Sequence, residues 1–413
     1  MAPRVVHGGC MEEMRRFAAE GARFDACVTD PPYELSFMGR AWDGTGIAFQ
    51  PETWRAVYDA LKPGAHLLAF GGTRTFHRMA VAIEDAGFEL RDTMMWLYGS
   101  GFPKSLDVSK AIDKAAGATR EVVGRSARNL PKTKFDGLNG GAFREKPGMG
   151  EFITVPATDA AKQWTGWGTA LKPAWEPIIV ARKPLDGTVA ANVLAHGCGG
   201  INIDACRVPA EGRPAREVAP LRDGVDYRPN SLAGRVDGSL ASSKAVGAAD
   251  LGRWPANVLH DGSGEVEAAF AAFATHGNSA RKAKGAGMGY HGADGERGAA
   301  GYDDSGTASR FFYCAKASKA DRAGSKHPTV KPISLMRHLV RLVTPPGGVV
   351  LDPFAGSGTT LEVAAREGFG AVGIEREEEY VADIRRRLAA LEAAGTTAAA
   401  ASVHPDLFLS AAD

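Results

Sequence analysis

Val349-Val350-Leu351-Asp352-Pro353-Phe354-Ala355-Gly356-Ser357-Gly358-Thr359-Thr360 is the stretch on which the fold turns. Three apolar residues run into an acidic residue, a proline and two glycines, and Gly358-Thr359-Thr360 opens a helix predicted to reach about Glu367. Glycines in a strand-to-helix loop let the backbone turn sharply and let a ligand approach closely. Ala371-Val372-Gly373-Ile374-Glu375 is the next strand, with a helix from Glu378 to Glu392 behind it. An acidic side chain at the end of such a strand can accept hydrogen bonds from both ribose hydroxyls of a nucleoside. The loop carries no Gly-Lys-Ser/Thr and does not match G-x-G-x-x-G, so it is not a Walker loop.

Alternation of strand and helix continues outward from this unit. Phe24-Asp25-Ala26-Cys27-Val28-Thr29 and Ala65-His66-Leu67-Leu68-Ala69-Phe70 read as buried strands. Trp54 to Leu61 has helical spacing and stops at Lys62-Pro63-Gly64; Phe76 to Ala86 is a helix ended by Gly87. Arg91 to Tyr98, Trp175 to Ala181 and Arg310 to Lys316 have strand character, and Ile333 to Val343 is an amphipathic helix. This order predicts an α/β fold with a doubly wound, mostly parallel sheet. Residues 101–165 are rich in Gly, Lys and Pro and are expected to form a long loop region with one short helix near 107–116. Residues 185–308 carry Gly-rich stretches such as Gly285–Gly289 and read as an inserted unit; residues 393–413 read as a flexible tail.

The second motif is Asp30-Pro31-Pro32-Tyr33, which ends the strand at Thr29. Two prolines fix φ and remove backbone donors, so neighbouring carbonyls can point inward as acceptors. Tyr33 offers a flat face on which a base can stack.

Composition limits the alternatives. The chain has 413 residues, 44% of them hydrophobic, which excludes global disorder. Net charge is only +1, so contact with a polyanion requires local concentration of charge. Residues 101–150 hold ten Lys/Arg against five Asp/Glu, and residues 275–345 twelve against five. From 346 onward five basic residues face eleven acidic ones. Five scattered cysteines suit a reducing cytosol, and neither a signal peptide nor an apolar run of about 20 residues is seen, so a cytoplasmic protein with no membrane span is expected. Cys198, Cys206 and His196 do not have the spacing of a known zinc finger, and no metal is expected.

Asp352 to Gly358 resembles the S-adenosylmethionine motif of amino-group DNA methyltransferases. With catalytic tetrad first and cofactor loop second, the order resembles the β class of that family, in which a target-recognition region lies between. Ser309 to Lys319 is similar to phage- and prophage-type members, and His327-Pro328-Thr329-Val330-Lys331-Pro332 to the segment that closes over the methionine moiety. The resemblance implies a seven-stranded Rossmann-like methyltransferase sheet. It divides the chain into a catalytic half (1–184), an inserted target-recognition region (185–308), a cofactor-binding half (309–392) and the tail.

It also implies residue roles. Asp352, Phe354, Ala355, Gly356, Ser357 and Gly358 would line S-adenosylmethionine, Glu375 would hold its ribose, and Thr329 and Lys331 would meet its carboxylate, with Asp30 at the border of the cofactor site. Asp30, Pro31, Pro32 and Tyr33 would form the catalytic clamp. The Asp30 carboxylate and the Pro31 carbonyl, aimed at the hydrogens of a conjugated exocyclic amine, favour a tetrahedral nitrogen with an available lone pair. Trp175, in Trp175-Glu176-Pro177-Ile178, is a candidate for the base pocket, equally readable as core. Many relatives carry Gly-Asp where this chain has His7-Gly8-Gly9-Cys10, which leaves the cofactor adenine without an assigned contact. No Pro-Cys dipeptide occurs, which argues against covalent methylation of a ring carbon.

The implied activity is methylation of adenine N6 in duplex DNA by base flipping, in a bacterial or phage-borne, nucleoid-associated enzyme. Cytosine N4 is the alternative base. RNA, protein glutamine or a catalytically silent DNA-binding module rank behind. A homodimer and a cognate restriction enzyme are compatible with the resemblance but not implied by it.

Overall fold

A computed structural model of the chain describes residues 2–35, 43–99, 101, 105–125, 152–208, 214–216, 245–248, 254–271, 312–313 and 319–395. Its strands are β1 (Arg4–His7), β2 (Phe24–Thr29), β3 (Leu61–Phe70), β4 (Glu89–Leu97), β5 (Val122–Arg125), β6 (Phe152–Thr154), β7 (Trp175–Arg182), β8 (Pro214–Arg216), β9 (Ala245–Ala248), β10 (Val258–His260), β11 (Phe312–Tyr313), β12 (Val349–Asp352) and β13 (Gly370–Glu375). The chain divides into two compact units, Met1–Tyr98 with Glu176–Asp413, and Gly99–Trp175.

The larger unit is built on one sheet with the order β1-β13-β12-β2-β3-β7-β4-β10-β11. The pairs from β1 through β3 are parallel, as are β4 with β10 and β10 with β11, while β7 runs antiparallel to β3. This sheet thus has nine strands among the described residues where seven were expected. β11 falls within the strand expected over Arg310–Lys316, whereas β1 and β10 supply four and three residues, too few to show a period of their own.

Both faces of the sheet are covered, as the near-continuous apolar runs require. Along β3, Leu67 and Ala69 join a core with Met14, Phe17, Trp54 and Ile83 on one side. Leu68 and Phe70, one residue out of phase, join Trp96, Leu335, Leu339 and Leu361 on the other. Trp54 is fully buried and satisfies its indole N–H on the Ala48 carbonyl at 2.9 Å.

The smaller unit corrects the reading of residues 101–165 as loop with one helix. Besides the helix Val108–Ala115 it holds a second, Asp159–Gln163, and an antiparallel pair formed by β5 and β6. Those strands are four and three residues long, and β6 begins 27 residues after β5 ends, so neither carries a readable pattern. Asp113 ties the unit together: it is buried, pairs with Arg120 at 2.6 Å and accepts from the N–H groups of Ala157 and Thr158, each at 3.0 Å. Gly285–Gly289 and residues 396–413 lie outside the described residues.

Three buried groups make stability depend on acid. Burial, reinforced by the charges of Arg182 and Arg91, lowers His66 to about 4; burial and Arg341 lower His338 to about 4. An unfolded histidine titrates near 6.5, so below that pH the unfolded chain takes protons that the folded chain refuses. Stability is therefore lost as pH falls from about 6.5 to 4, by roughly 3 kcal/mol per histidine. Asp352 acts the other way. Burial raises its carboxyl to about 6, so the folded chain keeps a proton the unfolded chain has lost, and lowering pH from 6 to 4 restores about 3 kcal/mol. The two histidines win. Urea unfolding at pH 7 and pH 4.5 should show a net loss from these groups, and His338→Gln should lessen it. An unchanged pH dependence in that variant would refute the assignment.

Candidate functional site

The winding of the sheet reverses between β12 and β2. From β2 the chain proceeds to its neighbour β3, whereas from β12 it proceeds to β13 on the other side. In doubly wound sheets the ligand crevice lies at the carboxyl ends of the strands at such a switch point. Both motifs leave the sheet there, although more than 300 residues separate them: the tetrad follows β2 and the glycine loop follows β12. The strand ends are tied directly, Thr29 Oγ1 donating to Asp352 Oδ1 at 2.7 Å. The Phe354 N–H donates to the same oxygen at 3.2 Å.

In the glycine loop, Gly356 and Gly358 have φ of +50° and +78°, a region that L side chains rarely adopt. A Cβ on Gly356 would lie 3.1 Å from His327 Nε2, and one on Gly358 would lie 2.7 Å from Ile384 Cγ1. Glu375, at the end of β13, accepts from Gly356 N through Oε2 and from Glu377 N through Oε1, both at 2.8 Å. Burial raises this carboxyl above the usual carboxylate range. Each of its oxygens keeps a second acceptor position. Ala355 is buried, its N–H on the Ile374 carbonyl at 3.0 Å, and the Ser357 and Thr359 hydroxyls are 3.0 Å apart. Beside the loop, His327 packs edge-on against Tyr380 with centroids 4.7 Å apart and shares a 2.8 Å hydrogen bond with the Thr329 carbonyl. β1 lies next to β13 with His7 in register with Glu375, and Gly8 N donates to the Glu375 carbonyl at 3.0 Å.

The tetrad is the centre of a half-buried ionic cluster. Lys331 Nζ lies 2.6 Å from Asp30 Oδ2, 3.2 Å from the Tyr33 hydroxyl and 3.6 Å from Glu176 Oε2. Tyr33 donates to Glu176 Oε2 at 3.0 Å. The ammonium sits 4.8 Å from the Phe70 ring centroid and 5.4 Å from that of Tyr33. Burial pulls the Lys331 ammonium down, but Asp30 and Glu176 together outweigh it and raise the lysine, so it stays charged. Burial and the two carboxylates push the Tyr33 hydroxyl well up, so it stays a donor. The other carboxylate oxygen, Asp30 Oδ1, is buried and has no hydrogen-bond partner among the described residues. A buried acceptor left open carries a desolvation penalty, and it is a common mark of a site that a ligand completes.

The chain around the tetrad is braced. The Thr75 hydroxyl donates to the Tyr33 carbonyl at 2.8 Å. Glu34 has φ of +55°, and Asp43 accepts from the N–H groups of Glu34 and Leu35 at 2.9 and 3.2 Å. Pro32 and Tyr33 border a recess lined also by Phe49, Gly71, Phe76 and Met79. Pro31 is buried.

The structure therefore brings Asp30, Tyr33 and Lys331 together, and separately Gly356 with Glu375 and His327. Lys331, expected at a cofactor carboxylate, has its ammonium on the tetrad. Thr329 stands beside His327. Glu176, His327 and Thr29 were missed by the sequence reading. Glu176 had a signal, an acidic residue between Trp175 and the apolar Ile178–Ala181 run; Thr29 had none. Cys198 and Cys206 belong to different core clusters and donate to the carbonyls of Pro63 and His338.

The fold and site define a doubly wound α/β protein with a glycine loop and an acidic tetrad meeting at one switch point. The DNA methylase family (N6_N4_Mtase) matches residues 24–386, and the chain belongs to that family. Over 72 residues it is 44% identical to the Type II methyltransferase M2.DpnII of Streptococcus pneumoniae, 17% of this chain and 27% of that protein. Over 68 residues it is 44% identical to YubD of Escherichia coli (strain K12), 16% of this chain and 30% of that protein. The chain thus spans less than a third of each of these relatives. Among solved structures, M1.HpyAVI in complex with SAM aligns at TM-score 0.40 and 14% identity, over 93% of this chain and 98% of that one. PvuII DNA methyltransferase (cytosine-N4-specific) aligns at 0.39 and 15%, over 93% and 85%.

Proposed function

We propose that the chain is a site-specific DNA methyltransferase that moves a methyl group from S-adenosylmethionine to the exocyclic N6 of adenine in duplex DNA, with the base flipped out of the helix. The observation that supports this reading is the tie between the two strand ends, Thr29 to Asp352 at 2.7 Å, one leading into Asp30 with its open Oδ1 and the other into the glycine loop. The residues present suit the cofactor. Gly356 and Gly358 take the positive φ that turns the loop sharply at the end of the strand, and Glu375 has acceptor positions for ribose hydroxyls.

When bound, S-adenosylmethionine supplies a methyl group activated by its positively charged sulfur. Asp30 Oδ1 and the Pro31 carbonyl accept the hydrogens of the target amine and turn its lone pair outward. Tyr33 stacks on the extruded base. No residue of the cluster needs to form a bond to the substrate; the chain contributes position and electrostatics. Residues 185–308, together with the basic stretches 101–150 and 275–345, are the segments we assign to DNA contact and target choice.

Sequencing that distinguishes modified bases, applied to DNA from cells expressing the chain, tests this. N6-methyladenine at one recurrent motif is the expected result. N4-methylcytosine in its place would overturn the choice of base, and unmodified DNA would overturn the activity.

A further inference from the structure

The glycine cradle, Glu375 and the tetrad account for cofactor and amine, but not for why a half-buried lysine is held against the tetrad. Lys331 lies at hydrogen-bond distance from Asp30 Oδ2 and the Tyr33 hydroxyl, with Glu176 behind at 3.6 Å. Two aromatic faces, Phe70 and Tyr33, enclose the ammonium. A carboxylate free to rotate about its last bond would present either oxygen to a substrate. Here one oxygen is occupied by a fixed cation and the other has no partner among the described residues.

We propose that Lys331 is a positioning residue for methyl transfer: held between Asp30 and Glu176, its ammonium locks the Asp30 carboxylate so that Oδ1 is the acceptor offered to the target amine. The inference rests on the methyltransferase reading. It also assigns Glu176 a part, since that carboxylate fixes the ammonium from behind and accepts from Tyr33, so one cation aligns both the acceptor and the stacking ring. A bond between charged groups is short and directional, which suits this use. Other charged or titratable groups near Asp30 are Asp352 on β12 and His327 ahead of Lys331.

A merely structural lysine would do something different. It would neutralise two half-buried carboxylates, and its loss would be repaired by removing one of them, because breaking a desolvated pair costs stability mainly through the charge left behind. Lys331→Met/Glu176→Gln keeps the net charge of the cluster at its original value and removes the lock.

The experiment compares the full-length wild type, Lys331→Met, Lys331→Arg, Glu176→Gln and the double variant. The measurements are kcat on duplex DNA, S-adenosylmethionine affinity by calorimetry, and thermal unfolding. Expected are a kcat for Lys331→Met about a hundredfold down with cofactor affinity kept within threefold, and partial recovery in Lys331→Arg. The double variant should melt near the wild type yet stay about a hundredfold below Glu176→Gln alone in kcat. A double variant as active as Glu176→Gln would overturn the proposal and leave a structural role. A tenfold loss of cofactor affinity at unchanged kcat would overturn it in favour of a cofactor ligand. A wild type that binds no S-adenosylmethionine would instead refute the methyltransferase reading itself, and this inference with it.

Discussion

Asp30→Ala should bind S-adenosylmethionine as the wild type does and transfer no measurable methyl group. The affinity is preserved because the cradle does not depend on this side chain. Gly356 is held by Glu375, and Ala355 by the Ile374 carbonyl. The fold is preserved because the cluster starts with two carboxylates around one ammonium, so removing Asp30 leaves Lys331 paired with Glu176 and no net charge buried. What disappears is the open acceptor. An exocyclic amine conjugated with its ring is a weak nucleophile, and loss of a preorganised hydrogen-bond partner at a reacting centre costs about 10²–10³ in rate. With the Pro31 carbonyl alone the amine would stay planar, so the observed loss should reach at least that range. Single-turnover methylation of duplex DNA, read beside cofactor calorimetry and a thermal melt, separates these effects. Activity within tenfold of wild type would remove Asp30 from the chemistry. A variant that also lost its cofactor would show that Asp30 serves binding instead.

The parts of the molecule legible from sequence are those in which one short segment carries both its geometry and its chemistry. Asp352 to Gly358 needs positive φ at Gly356 and Gly358, and only glycine meets that without strain, so the residues themselves announce the turn. β2 and β3 are read from short, largely apolar runs because both faces are buried. The parts that were not legible depend on partners distant in the chain. β5 and β6 are invisible alone. Lys331 was read within its own segment, beside Thr329 and near the cofactor loop. The structure sends its side chain across to a strand end about 300 residues earlier. Glu176 stands beside Trp175, and a tryptophan suggests stacking whereas a lone glutamate suggests nothing until its neighbours are known. The antiparallel course of β7 places Glu176 at the same edge of the sheet as Tyr33. That is information about topology, not composition.

Glu375→Ala should reverse the pattern of Asp30→Ala: methyl transfer fails because the cofactor is no longer held. Glu375 does two things at once. Its oxygens accept the N–H groups of Gly356 and Glu377 at 2.8 Å, which shapes the loop before any ligand arrives. Their remaining acceptor positions face the proposed ribose. Hydrogen bonds to a charged group contribute about 1.5–3 kcal/mol each, so loss of two weakens S-adenosylmethionine by at least about a hundredfold. The loop also loosens, because the freed N–H groups lose their acceptor, and stability should fall by roughly 1–3 kcal/mol. Glu375→Gln distinguishes the two parts. Its amide keeps one oxygen acceptor but turns an NH₂ group toward a backbone N–H, so donor meets donor, and the loop should suffer more than charge loss alone predicts. Calorimetry on both variants gives the answer without recourse to turnover. If Glu375→Ala bound S-adenosylmethionine within threefold of wild type, the ribose assignment would be wrong, and the carboxylate would be left with the loop alone.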